Sequence, residues 1–201
     1  KVSDKSVTEP FTLLLLGVDS PEENIADAVA LGDTIMVVTF NPNTLNATLF
    51  SIPRDTYVPI SCYGNAMSKI THAASGGDSC MIQTVENFIG IDIDYYAKIN
   101  FRGLMNLVDA LGGIDVDVVY PFCEQNSKRK WGKNTIFVKS GKQKLNGEQA
   151  LAFARHRKVT PYMVSYCGPE YTQNAAYWND FTRGQNQQVI IGALLKKFKD
   201  I

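Results

Sequence analysis

Phe11-Thr-Leu-Leu-Leu-Leu-Gly-Val18 runs straight into Asp19-Ser20, and this stretch decides the fold. A short, continuous apolar run is strand length, well under the ~20 residues of a membrane span. It reads as a buried central strand that ends in a functional loop. Residues 34–40 and 45–52 are two more strands, joined by the turn Asn41-Pro-Asn-Thr44. Further out, Met81, Val85 and Phe88 give helical spacing over 79–89, with Gly90 suited to the helix end. Residues 95–99 form a strand. Leu104, Leu107, Val108 and Leu111 mark a helix over 101–111 that stops at Gly112-Gly113. Residues 114–119 alternate cleanly, as a strand with one wet face does, and 135–139 form another short strand. Asn146 caps a helix over 147–154, with Gln149 placed for a capping box. Val189, Ile190, Leu194, Leu195 and Phe198 mark the final helix. Residues 57–77 read as loop. Residues 158–178 lack any periodicity and read as a functional or disordered segment. The alternation predicts one α/β domain over 1–201, with a mixed central sheet and helices on both faces.

A formal net charge of zero gives no support to nucleic-acid binding, which needs a basic face. Residues 1–10 read as a polar leader following a membrane anchor outside this sequence, although a soluble start would look the same. Cys62, Cys80, Cys123 and Cys167 form no C-x-x-C pair, which weakens zinc and thioredoxin-like readings. An even count suits two disulfides and an extracytoplasmic location. Of three possible pairings, Cys62–Cys80 with Cys123–Cys167 is favoured; four free buried thiols are the alternative.

The arginines carry the chemistry. There are six against fourteen lysines, and four sit in polar motifs: Arg54 in Ser51-Ile-Pro-Arg-Asp-Thr56, Arg155 and Arg157 in Ala154-Arg-His-Arg157, and Arg183 in Asp180-Phe-Thr-Arg183. The guanidinium is a planar, permanently charged fork that matches phosphates and carboxylates. Asp19 and Asp33, at the ends of neighbouring strands, could share a magnesium ion, though turn-forming is the commoner use of such aspartates. Arg155 and Arg157, one residue apart, would share a face if extended. Arg183 and Gln187 lie one turn apart near a helix N-terminus, which attracts anions. Lys69 fits a phosphate contact or an ordinary surface charge equally well.

The sequence resembles the LytR–CpsA–Psr family of cell-wall glycopolymer ligases. The resemblance rests on Leu14-Leu-Leu-Gly-Val-Asp19, Gly32-Asp-Thr-Ile-Met36, Ser51-Ile-Pro-Arg-Asp55, Lys69-Ile-Thr-His-Ala73 with Gly76-Gly77, and Leu107-Val-Asp-Ala-Leu-Gly-Gly113. Leu145-Asn-Gly-Glu-Gln-Ala-Leu151 into Arg155-His-Arg157, and Asp180-Phe-Thr-Arg183 with Gln187-Gln188, complete it. It implies a membrane-anchored domain on the extracellular face of a bacterial cell membrane. Such a domain takes a glycopolymer from a polyprenyl-pyrophosphate carrier, whose lipid sits in an apolar pocket, and transfers it with magnesium to peptidoglycan. By the same resemblance Asp19 and Asp33 serve the metal. Arg54, Lys69, Arg155, Arg157 and Arg183 hold phosphates, with Asp180 and Gln187 orienting them. Arg54, Asp33 and Asp55 are the expected catalytic residues, and either aspartate could be the base. The family often carries an arginine where Asn186 stands, and residues 158–178 exceed the common length. Pyrophosphatase action on the same carrier, or non-catalytic polyprenyl-phosphate binding, are the rival readings.

Overall fold

The computed structural model describes residues 9–18, 32–44 and 46–199, apart from the side chains of residues 198 and 199. Asp19, an expected metal ligand, lies outside the described residues, as do residues 1–8 of the expected leader. The fold is α/β, with a mixed sheet and flanking helices. The chain divides into two compact units, the first ending at Asn100 and the second starting at Phe101.

The first unit is built on the opening run. Strand β1 (Phe11–Val18) lies between β2 (Gly32–Asn41) and β6 (Tyr95–Asn100), antiparallel to the first and parallel to the second. Strand β3 (Asn46–Ile52) extends the sheet in the order β3-β2-β1-β6. A strand places alternate side chains on opposite faces. Leu14, Leu16 and Val18 are therefore fully buried on one face, with Ile35, Val37 and Ile52 beside them, under Met81 and Val85 of helix α1 (Asp78–Ile89). Burying each such side chain stabilises by ~1.5–3 kcal/mol. On the opposite face Leu13 and Leu15 are half-buried, while their partners Val38 and Met36 are buried. Asp78 anchors α1 to β6 by accepting a hydrogen bond from the Tyr96 hydroxyl at 3.1 Å and pairing with Lys98 at 2.6 Å. Burial, helped by the Asp78 charge, pushes the Tyr96 phenol well above its ordinary value.

The loop expected over residues 57–77 is instead a hairpin, β4 (Tyr57–Ile60) and β5 (Ala66–Lys69), followed by 3-10 turns over Ile70–Gly76. Pro59 hides the strand in the sequence. It is tolerated because a two-stranded ribbon consists only of edges.

In the second unit, α2 (Phe101–Ala110) leads to β7 (Ile114–Val118), and β8 (Phe122–Glu124) pairs with β9 (Ile136–Val138). Strand β10 (Gly141–Leu145) pairs with β7, then α3 (Gly147–Arg155), the short α4 (Pro161–Val164) and α5 (Asp180–Lys199) follow. Ile114, Val116, Val118, Phe122, Phe153, Ile190 and Leu194 share one core. The expected capping box of Asn146 and Gln149 forms at the start of α3. A Cβ on Gly147 would lie 2.6 Å from the Met105 carbonyl oxygen, so glycine lets α3 rest on α2, and Asp109 accepts the Gly147 N–H at 2.7 Å.

Both expected disulfides form, with Cα–Cα distances of 5.3 Å for Cys62–Cys80 and 6.3 Å for Cys123–Cys167. A Cβ on Gly76 would sit 2.3 Å from the Cys62 sulfur, so this position leaves room for the first bridge.

Candidate functional site

The first unit gathers four of the expected residues at one place. Strand β3 ends at Ile52, and Pro53 to Thr56 turn the chain, with both the Thr56 N–H and its hydroxyl donating to the Pro53 carbonyl. The turn carries Arg54 and Asp55. Its backbone is fixed by the segment after β5: Thr71 N–H donates to the Arg54 carbonyl at 3.2 Å and Ile70 N–H to the Thr56 carbonyl at 2.8 Å. The buried Thr71 hydroxyl donates to the Gly32 carbonyl at 2.9 Å, which ties in the residue before Asp33. Three sequence-distant motifs thus become one hydrogen-bonded corner.

The charges alternate along this corner. Arg54 Nη1 pairs with Asp33 Oδ1, Arg54 Nε lies 3.8 Å from Asp55 Oδ2, and Lys69 Nζ pairs with Asp55 Oδ1 at 2.6 Å. The Arg54 side chain keeps 36% of its surface exposed and Lys69 53%. Two carboxylates hold two cations in place while leaving both open to an incoming anion. Beside them, Ser68 and His72 share a hydrogen bond at 2.8 Å.

The second unit gathers the others. Asp180 opens α5 and accepts from Arg183 at 2.9 Å and from Arg157 at 3.5 Å. Asn179 caps the helix through the Phe181 and Thr182 N–H groups. Gln187, one turn beyond Arg183, donates to the Ala154 carbonyl at 3.1 Å, and Asn186 donates to the Phe153 carbonyl at 3.3 Å. These two amides secure the end of α3 to α5, so Gln187 positions the arginine-bearing segment through its backbone.

Arg155 and Arg157 do not share one extended face, because Arg155 still belongs to α3 and the chain leaves the helix at His156. Arg155 lies over the Phe101 ring at 5.4 Å and donates to the Asn126 carbonyl at 3.4 Å, whereas Arg157 reaches Asp180. Between them sits a residue that the motif reading passed over. His156 is fully buried, stacked on Phe122 and edge-on to Trp178, with Nδ1 3.2 Å from Glu124 Oε2. Burial alone would push the Glu124 carboxyl up. The hydrogen bonds from His156 and the Gln125 N–H, with the charges of His156 and Arg155, outweigh burial and hold it below its ordinary value. The only sequence signal for this pair was the histidine lodged between two arginines.

Among the described residues, no three His, Cys, Asp or Glu side chains cluster as a metal site would. A cation here would rest on one or two carboxylates and on oxygens supplied by a substrate, which is how magnesium is commonly held. Asp33 offers such a carboxylate. No helix among the described residues is long and apolar enough to cross a membrane.

Known proteins resemble this chain over nearly its whole length. The chain is 37% identical over 195 residues to the polyisoprenyl-teichoic acid–peptidoglycan teichoic acid transferase TagU of Halalkalibacterium halodurans, covering 96% of this chain and 55% of that protein. It spans about half the length of the curated relatives it matches. The crystal structure of Bacillus subtilis TagV superposes with a TM-score of 0.73 at 32% identity, over 94% of this chain and 65% of that one. The LytR-CPS2A-psr family protein YwtF (TagT) with bound octaprenyl pyrophosphate lipid superposes with a TM-score of 0.68 at 29% identity, over 100% and 70%. The motifs that fold into the Arg54 corner and the Asp180 cluster are those the resemblance rested on, and the family match runs over residues 1–201: the chain belongs to the LytR–CpsA–Psr family.

Proposed function

We propose that this domain is a phosphotransferase that moves a glycopolymer from a polyprenyl-pyrophosphate carrier to peptidoglycan. The observation that carries the reading is the Arg54 corner: a guanidinium fixed through its backbone and two carboxylates, yet more than one-third exposed. The named activity of the teichoic acid transferase relative and the lipid in the octaprenyl pyrophosphate structure support it.

The chemistry needs charge neutralisation and alignment more than a protein nucleophile. The acceptor hydroxyl attacks the phosphorus next to the polymer, and the bond to the lipid phosphate breaks. Arg54 and Lys69 would take phosphate oxygens, loosening their hold on Asp33 and Asp55. Arg157 and Arg183 would do the same from Asp180, and Arg155, which donates to the Asn126 carbonyl, would add its charge. Asp33 or Asp55, once relieved of its cation, would accept the acceptor's proton. Magnesium, held by Asp33 with Asp19, would neutralise further charge on the diphosphate. The corner is formally neutral by itself, two cations against two carboxylates, so added positive charge is what a diphosphate requires there. The lipid tail would need an apolar pocket, as the octaprenyl pyrophosphate bound to the TagT relative suggests. The working location is the extracellular face of the bacterial cell membrane, with an N-terminal anchor.

The test is turnover of an octaprenyl-pyrophosphate-linked saccharide with magnesium, with and without peptidoglycan fragments. Transfer to the fragment supports the reading. Release of free sugar phosphate regardless of acceptor makes the domain a pyrophosphatase, and binding without turnover makes it a carrier.

A further inference from the structure

Residues 125–147 hold seven cations and no acid, in a chain whose formal net charge is zero. Three of them, Lys128, Arg129 and Lys130, are exposed on one built turn. The Asn126 side chain accepts the Lys130 N–H at 2.9 Å and the Asn126 carbonyl accepts the Arg129 N–H at 2.9 Å. The Ser127 N–H and hydroxyl both donate to Glu148, at 2.8 and 2.5 Å. Arg129 adopts a φ of +55°, where glycine or asparagine would be far less strained. An arginine there adds a charge at a position that favours a small residue.

Next to the turn stands an aromatic platform. Trp131 stacks on Tyr166, with ring centroids 5.5 Å apart and planes 15° apart, and Tyr162 meets Trp131 edge-on at 6.2 Å. The Tyr162 and Tyr166 hydroxyls lie 3.3 Å apart, and these two residues are 59% and 40% exposed. Cys167, the neighbour of Tyr166, is bridged to the fully buried Cys123, which pins the platform. The segment bearing these tyrosines leaves the chain after Arg157 and returns before Asp180. The Asn126 carbonyl that anchors the basic turn also accepts from Arg155. Turn and platform therefore adjoin Arg155, and the transfer chemistry uses neither.

Rigid aromatic faces with polar tips suit flat, amphipathic sugar rings, and fixed cations beside them suit regularly spaced anions. We propose that Trp131, Tyr162 and Tyr166, with Lys128 and Lys130, form a subsite for the polyanionic chain of the donor glycopolymer. Its sugar or polyol units lie on the rings and its phosphates or carboxylates on the lysines. The proposal rests on the transferase reading for the identity of its ligand. The donor is favoured because the turn is tied to Arg155, where the polymer's first phosphate would sit, and because repeated anions match repeated cations.

Purified wall teichoic acid, stripped of its lipid, is the probe, and binding is followed by tryptophan fluorescence. Trp178 is buried, so Trp131 reports the platform. The polymer should bind, more weakly as salt rises, and a neutral glucan of equal length should not. Tyr162→Ala, and separately the pair Lys128→Glu with Lys130→Glu, should each weaken binding about tenfold or more with an unchanged melting temperature. Those variants should raise the KM for a polymer-bearing lipid while leaving a lipid-linked disaccharide unaffected. No binding by the unaltered protein, unchanged affinity in the variants, or preferential binding of peptidoglycan strands would overturn the proposal. Polymer binding that persists in a protein without transferase activity would count against the transferase reading and for this subsite.

Discussion

Replacing Arg54 separates catalysis from stability. In the structure Arg54 makes two ion pairs, with Asp33 and Asp55, whose side chains are 35% and 59% exposed. Pairs this open are worth ~0.2–1 kcal/mol each. Arg54→Ala should therefore cost no more than about 2 kcal/mol, a melting-temperature drop of no more than about 8 °C for a chain of this size. A guanidinium that stabilises a transferring phosphoryl group is worth ~10³-fold or more in rate, about 4 kcal/mol of barrier. The kinetic loss should be at least twice the stability loss. Arg54→Lys sharpens the contrast: it keeps the charge and one ion pair but loses the fork, so stability should recover while rate does not. Transfer from an octaprenyl-pyrophosphate-linked saccharide, measured well below the melting temperature of each variant, is the assay, with thermal melts alongside. If Arg54→Ala retains activity within tenfold of the parent, the corner does not bind the reacting phosphates.

Asp33→Asn should lower turnover while the fold stays intact, and excess chelator should do the same to the unaltered protein; full activity in chelator would remove magnesium from the mechanism. The Glu124 carboxyl is held below its ordinary value, so the stability it contributes is present above pH ~4.5 and lost as acid protonates it in the folded protein. Glu124→Gln should melt lower than the parent at pH 7, with the gap closing below about pH 4.5; a gap constant with pH would show that the pair contributes no charge. Replacing both cysteines of one bridge by alanine should cost about 3 kcal/mol for Cys62–Cys80, which spans 18 residues, and about 4 kcal/mol for Cys123–Cys167, which spans 44. Equal denaturation midpoints with and without the bridges would contradict that chain-entropy account.

The parts of this fold that were legible in the sequence are those where local pattern and tertiary packing agree. The run 11–18 could only be buried, and the Asn146 box announces a helix whatever packs on it. The β4–β5 hairpin was hidden because Pro59 argues against a strand and only an edge ribbon excuses it. Strand β10 was hidden because Lys142 and Lys144 leave Leu145 as its one buried apolar side chain. Of the site, the arginines were readable as types and motifs, but not their partners. Nothing in Arg155-His-Arg157 says that the helix ends inside it, sending one arginine to Asn126 and the other to Asp180. The burial of His156 against Glu124 depends on residues more than thirty positions apart, beyond the reach of spacing.

The two disulfides join each cysteine to its neighbour in order of appearance: the first loop, 62 to 80, is complete before Cys123 has been reached. Four cysteines allow three pairings, and this alone is neither nested nor crossed. A chain delivered N-terminus first to an oxidant would meet its thiols two at a time, in native couples. Each bond could form once and stand, with no wrong partner to be exchanged later. Thiol reshuffling takes seconds to hours, so for a chain delivered in that way the order of the cysteines would remove the need for this slow step.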